Sequence, residues 1–238
     1  MGSGLKRAII YLKTKVSLIV MKFTYAVTVC NESKYLYSLL AFLRKVKDPE
    51  DDINVLLDTA HCSPSVIQVL DHYKNDITLN ERDFDGDFAE HRNYHLSTCK
   101  GDFIFLVDAD EMPQEDLLKN AKRVVADTGG DAFMVPRINI HPGYTRQWLE
   151  ERQFQVNEFG WINWPDYNCR LIKNAPGRIK FTKSLHESIT GHEKIITFRT
   201  TPDMAVWHIK SVEKQDNRWD TEGKYVVPGG DNLYDTLM

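Results

Sequence analysis

Two hydrophobic rhythms alternate along the first half of the chain. The run Phe23 to Val29 is rich in β-branched and aromatic residues and predicts a buried strand. Cys30-Asn31-Glu32-Ser33 interrupts it. Leu36, Leu39, Leu40 and Leu43 then recur at helical spacing, with Asn31 or Ser33 as the expected cap. A second strand is expected over Ile53 to Leu57, ending at Asp58. A second helix opens at Pro64, carries Val66, Val69 and Leu70, and has Ser63 as its expected cap. Ile77 to Leu79 predicts a short strand, and Phe88 to Thr98 a helix that ends by Gly101. Phe103 to Val107 (FIFLV) is apolar without alternation, as a central parallel strand covered on both faces requires. Strand and helix in alternation imply right-handed crossovers and a mainly parallel sheet flanked by helices.

The second half is less regular. Leu117 to Val125 predicts a helix between Pro113 and Gly129-Gly130, followed by a strand over Phe133 to Ile140. Tyr144 to Tyr167 reads as irregular and aromatic. Short strands are expected at Arg170 to Lys173, Ile179 to Phe181, Ile195 to Phe198 and Ala205 to Ile209. Residues 1–20 form an N-terminal extension and 227–238 a C-terminal tail, leaving 21–226 as one domain. Within the extension, residues 5–20 are apolar but broken by Lys6, Arg7, Lys13 and Lys15, too short and too charged to span a bilayer. A basic helix touching a membrane surface is the functional reading of that segment, and a plain extension the bland one.

Composition narrows the class. Hydrophobic residues make up 42% and charged residues 27%, which suits a packed core rather than disorder. The net charge of −4 gives no signature of a nucleic-acid partner. Cys30, Cys62, Cys99 and Cys169 are scattered and form no CxxC pair, so reduced thiols in a cytoplasmic, or cytoplasmic and membrane-peripheral, setting are expected.

Candidate chemistry gathers at the end of the strongest strand. Asp108 and Asp110 flank Ala109 there, and residues two apart on a strand share a side. Both carboxylates would then face the crevice beyond the sheet, where open parallel sheets bind ligands. Hard oxygen ligands suit Mg2+ or Mn2+. Other acidic motifs fail. Asp83, Asp85 and Asp87 do not make an EF-hand, because Gly86 is misplaced and the twelfth position is Tyr94; a solvated loop is expected there. His186-Glu187 is not a zinc-protease motif, because Thr190 stands where a second histidine is needed. Tyr144, Trp148, Phe154, Phe159, Trp161, Trp164 and Tyr167 form an aromatic concentration, read as part satellite core and part sugar platform. Trp164 and Asp166 are its candidates for acceptor or sugar contact.

The order of these features over Phe23 to Ser211 resembles the family 2-like glycosyltransferases of GT-A fold. Cys30-Asn31-Glu32 is similar to the xYNE that ends their first strand. Ala89-Glu90-His91-Arg92-Asn93, Lys100-Gly101-Asp102 and Phe103 to Glu111 are similar to their AxRNxG…GxxxxFLDADD block. Arg170-Leu171-Ile172, His186-Glu187 and Trp207-His208 are similar to the RLF…HE…H signature of one branch.

The resemblance implies an α/β, GT-A type nucleotide-diphospho-sugar transferase fold with a smaller mixed C-terminal part. Residues 21–111 would bind the nucleotide and 112–226 the acceptor. Asn31 and Glu32 would line the nucleoside pocket, Asp58 would accept from the base, and Arg92 would sit near nucleotide and sugar. Asp108 and Asp110 would hold Mn2+ or Mg2+ on the diphosphate, His208 would complete the metal shell, and Glu187 would be the catalytic base. The implied partners are a nucleotide-diphospho-sugar donor, a UDP-sugar first, and a glycan or other hydroxyl-bearing acceptor. A lone base predicts inversion at the anomeric carbon. A sugar nucleotidyltransferase would carry a glycine-rich loop after the first strand, where Cys30-Asn31-Glu32-Ser33-Lys34 has no glycine. A non-catalytic carbohydrate- or nucleotide-binding module that kept the fold is the rival of another class.

Overall fold

The computed structural model describes residues 21–217. The N-terminal extension with its candidate membrane segment at 5–20, and the tail at 227–238, lie outside the described residues. Among the described residues no helix is long and apolar enough to cross a membrane.

The first half alternates as the pattern predicts: β1 (Phe23–Val29), α1 (Ser33–Val46), β2 (Asp52–Asp58), α2 (Pro64–Tyr73), β3 (Thr78–Arg82), α3 (Phe88–Thr98) and β4 (Phe103–Asp108). There follow β5 (Glu111–Pro113), α4 (Glu115–Thr128), β6 (Ala132–Ile140), α5 (Arg146–Glu151) and β7 (Ile162–Lys173). The described chain ends with β8 (Lys180–Thr182), β9 (Ser188–Thr190), β10 (Ile195–Thr197), β11 (Val206–Ile209) and α6 (Val212–Asp216).

One sheet runs β3-β2-β1-β4-β7-β6-β11-β5, with β10 beside β6, and β8-β9 form a separate hairpin. β1 lies between β2 and β4, parallel to both. β7 is antiparallel to β4 and β6, so it joins a parallel half to a mixed half. The core forms where the two apolar periods meet. Leu36, Leu39, Leu40 and Leu43 of α1 are fully buried with Val27, Val55 and Phe105 of the sheet. Each such side chain contributes about 1.5–3 kcal/mol of burial energy.

Several local expectations change. The α1 boundary residue is Glu32, not Asn31 or Ser33. Its carboxylate turns back to accept from the amides of Cys30 (3.1 Å) and Asn31 (3.0 Å). Ser63 takes the expected N-cap position of α2, but its hydroxyl pairs with Ser65 and bonds no helix amide. The expected solvated acidic loop contains a true cap: Asp87 accepts from the Glu90 amide at 2.9 Å. The irregular aromatic segment holds α5 and the first half of β7, a strand of 12 residues rather than the four expected. Its polar and aromatic side chains carry no clean period of two, which hid it. Part of the aromatic concentration is the satellite core expected: Trp148, Leu149 and Ile162, with Phe154 and Val212 against them.

Candidate active site

β1, β2 and β4 are parallel, so their carboxyl ends open on one edge of the sheet. A cleft of about 390 Å3 lies there, lined by Glu32, Asp58, Arg92, Asp108, Asp110 and His208 among others. Six of the sequence candidates therefore meet in one space. Asn31, just after β1, is buried beside it.

Asp58 is held at the end of β2. Its Oδ1 accepts from the amides of Ala60 (3.0 Å) and Phe84 (3.1 Å), and His61 Nδ1 lies 2.7 Å from its Oδ2. Glu32 also takes the Lys214 ammonium at 3.1 Å. Lys214 sits 3.8 Å from Asp110 and bridges the two acids.

Asp108 ends β4, whereas Asp110 lies in the turn after it. The period-two argument therefore does not place both carboxylates, and each is aimed by its own partners. Asp108 Oδ1 accepts from Arg92 NH2 at 2.9 Å, and its Oδ2 from Arg170 NH2 at 3.0 Å. Burial pushes the Asp108 carboxyl up, but the Arg92 and Arg170 guanidiniums outweigh it and hold it well below the usual range. Burial likewise raises Asp110, and His208 and Lys214 outweigh it. His208 Nε2 lies 3.6 Å from Asp110 Oδ2.

Glu187 stands on the far side of Arg92, whose Nε donates to its Oε1 at 2.7 Å. It lines a neighbouring cavity of about 300 Å3, to which Arg92 and Arg170 also contribute. Trp164 packs edge-on to Trp161 and is not among the residues lining the main cleft. Asp166 binds Arg137 and Asn139, both of which do line it.

The sequence reading passed over four residues here: Glu111, Arg137, Asn139 and Arg170 as an ion-pair partner. Glu111 is buried. It accepts from Arg137 at 3.3 Å, bonds Arg170, and takes the Asp108 amide at 3.2 Å. The missed signal was Arg137 and Asn139 at alternate positions of an otherwise apolar strand, which places both on one face.

Asp108, Asp110 and His208 fit a divalent cation by chemistry: two hard carboxylates and one imidazole at a cleft mouth. Among the described residues, however, no group of three acidic, histidine or cysteine side chains is placed to hold a metal ion as the side chains stand.

A family model described as Glycosyl transferase family 2 matches residues 24–192. The poly(ribitol-phosphate) beta-N-acetylglucosaminyltransferase TarS of Staphylococcus aureus is 25% identical over 118 residues, which are 48% of this chain and 21% of that protein. Among solved structures, residues 1–349 of Staphylococcus aureus TarS in complex with UDP-GlcNAc align with a TM-score of 0.57 and 19% identity. That match covers 80% of this chain and 59% of the other. The mannosyltransferase PcManGT from Pyrobaculum calidifontis, in complex with GDP-Man and Mn2+, aligns with a TM-score of 0.50 and 16% identity, over 78% of this chain and 56% of that one. These structural likenesses are of fold. The match spans about a fifth of the curated relative's length.

Proposed function

The chain belongs to glycosyl transferase family 2, and on that premise we propose that it transfers a sugar from a UDP-sugar to a hydroxyl of a glycan or similar acceptor, with Mn2+ or Mg2+ as cofactor. The observation that carries this reading is the meeting of Asp108, Asp110 and His208 in one cleft with Asp58 and Glu32. The UDP-GlcNAc bound in TarS and the Mn2+ in PcManGT support the choice of donor and metal.

In this reading Asn31, Glu32 and Asp58 hold the nucleoside at the ends of β1 and β2. Asp108, Asp110 and His208 hold the cation. When bound, it supplies Lewis-acid charge to the departing diphosphate. Arg92, tied to Asp108, stands between the diphosphate side and Glu187. Glu187 receives the proton of the acceptor hydroxyl, a role worth typically ~10²–10⁴-fold in rate. The acceptor approaches from the cavity beside Glu187; Trp164 and Asp166, the expected sugar contacts, line neither that cavity nor the main cleft. One base and no second nucleophile make the transfer a single displacement with inversion. A product of retained anomeric configuration by NMR would exclude that stereochemistry.

The main reading is tested by thermal shift with UDP- and GDP-sugars, with and without Mn2+. A donor at ~100 Kd adds about 2.7 kcal/mol, or roughly 5–10 °C for a domain of this size. No shift with any donor in either condition overturns it.

A further inference from the structure

His208 is held by more than its own strand. On the parallel pair β6–β11, His208 and Asn139 are register partners. On the antiparallel pair β6–β7, Arg137 and Asp166 are register partners. Arg137 and Asn139 lie two apart on β6 and present to one face. The result is a relay across three strands. Arg137 donates to Asp166 Oδ2 from Nε at 3.0 Å and from NH2 at 2.7 Å. Asn139 Nδ2 donates to the same oxygen at 2.9 Å, and His208 Nδ1 lies 3.0 Å from Asn139 Oδ1.

One acceptor-only group sets the direction of every bond in the relay. A carboxylate paired with a guanidinium can only accept. Asn139 must therefore turn its amide NH2 to Asp166, which turns its carbonyl oxygen to His208. That oxygen also only accepts, so His208 Nδ1 must carry the proton. A neutral ring then has its lone pair on Nε2. Nε2 is the nitrogen that faces Asp110 at 3.6 Å, on the cleft. A lone pair beside a carboxylate is repelled, and either a proton on Nε2 or a divalent cation between the two relieves that repulsion.

We infer that Asp166 and Asn139 are positioning residues that fix the His208 tautomer and aim Nε2 at a divalent cation shared with Asp110, with Arg137 anchoring Asp166. This rests on the metal reading above. It also gives Asp166 a different task from sugar contact. Partners of this kind typically change metal affinity ~10–100-fold when lost.

Two measurements test it. Long-range ¹H–¹⁵N spectra of the wild-type protein without metal, recorded at alkaline pH, should show the His208 proton on Nδ1, the signal being assigned by its loss in His208→Gln. A ring with its single proton on Nε2 overturns the inference, and this result needs no relay variant to fold. Separately, Mn2+ is titrated by electron paramagnetic resonance into the protein with UDP present. Asn139→Leu should bind Mn2+ ~10–100-fold more weakly than wild type while its circular dichroism is unchanged. Equal affinity in the two proteins overturns the relay. If wild type binds no Mn2+, the metal reading falls instead, and the cation role assigned to the relay falls with it.

Discussion

Replacing Arg170 by methionine removes the guanidinium that ties two acids together beneath the cleft. Arg170 is buried and bonds both Asp108, at 3.0 Å, and Glu111. The Glu111 side chain is 1% exposed and that of Asp108 is 27%. Removing one partner of a buried ion pair costs ~3–5 kcal/mol, because the other charge is left in low dielectric. Two features pull the cost to the lower end. Glu111 keeps Arg137 at 3.3 Å, and Asp108 keeps Arg92 at 2.9 Å beside open solvent. The expected loss is therefore about 3 kcal/mol, which lowers Tm by about 6–12 °C at 2–4 °C per kcal/mol. Glu111→Gln alone leaves Arg170 and Arg137 short of a carboxylate. The double variant should cost less than the sum of the single ones, with a coupling of ~1–3 kcal/mol. Urea unfolding followed by tryptophan fluorescence, without ligand at pH 7, gives all four corners of the cycle. Concentrated salt should not erase the effect, since buried pairs are poorly screened. A loss under ~0.5 kcal/mol for Arg170→Met, or additivity within that margin, would show that the acids do not depend on Arg170 and would refute the reasoning.

Gly101→Ala should cost about 1–3 kcal/mol in denaturant melts, because a Cβ there would meet the β1 backbone at Thr24 N (2.6 Å) and Phe23 C (2.7 Å); an unchanged midpoint would show that β1 can give way. Asp131 titrates below the ordinary carboxylate value, since burial pushes it up but the amides of Lys194 and Glu193 and the Arg178 guanidinium outweigh that. Its contribution is therefore full above the unfolded value of ~3.9 and fades as pH falls through the lower folded one. Guanidinium melts of Asp131→Asn should show a deficit against wild type at pH 7 that narrows on going to pH 3, and a constant gap would contradict the assignment. Cys30 lines the cleft, yet burial, with Glu32 and Asp58 beside it, pushes its thiol up. Mass spectrometry should find it alkylated by iodoacetamide at pH 8 more slowly than in the unfolded chain, and equal rates would remove the argument that it is no nucleophile.

The parallel half was legible because its apolar runs are long and its periods unmixed. FIFLV has one reading, a strand covered on both faces, and α1 shows its leucines on one stripe. The mixed half was not. β5 and β9 are three residues each, too short to carry a period, and β7 keeps polar side chains where it lines the two cavities. The site divides in the same way. Asp108 could be placed from its strand. Asp110 could not, because β4 has ended before it, and it is aimed by His208 and Lys214 from about a hundred residues away. β11 brings His208 opposite Glu111 on β5 and opposite Asn139 on β6, and no local pattern records either pairing. An acidic pair after an apolar strand is common in itself. What distinguishes this pair is that every partner of its carboxylates is drawn from elsewhere in the chain: Arg92 from α3, Arg170 from β7, and His208 and Lys214 from the last described elements. The two acids are aimed by the sheet order rather than by their own spacing, so the motif alone could not have placed them.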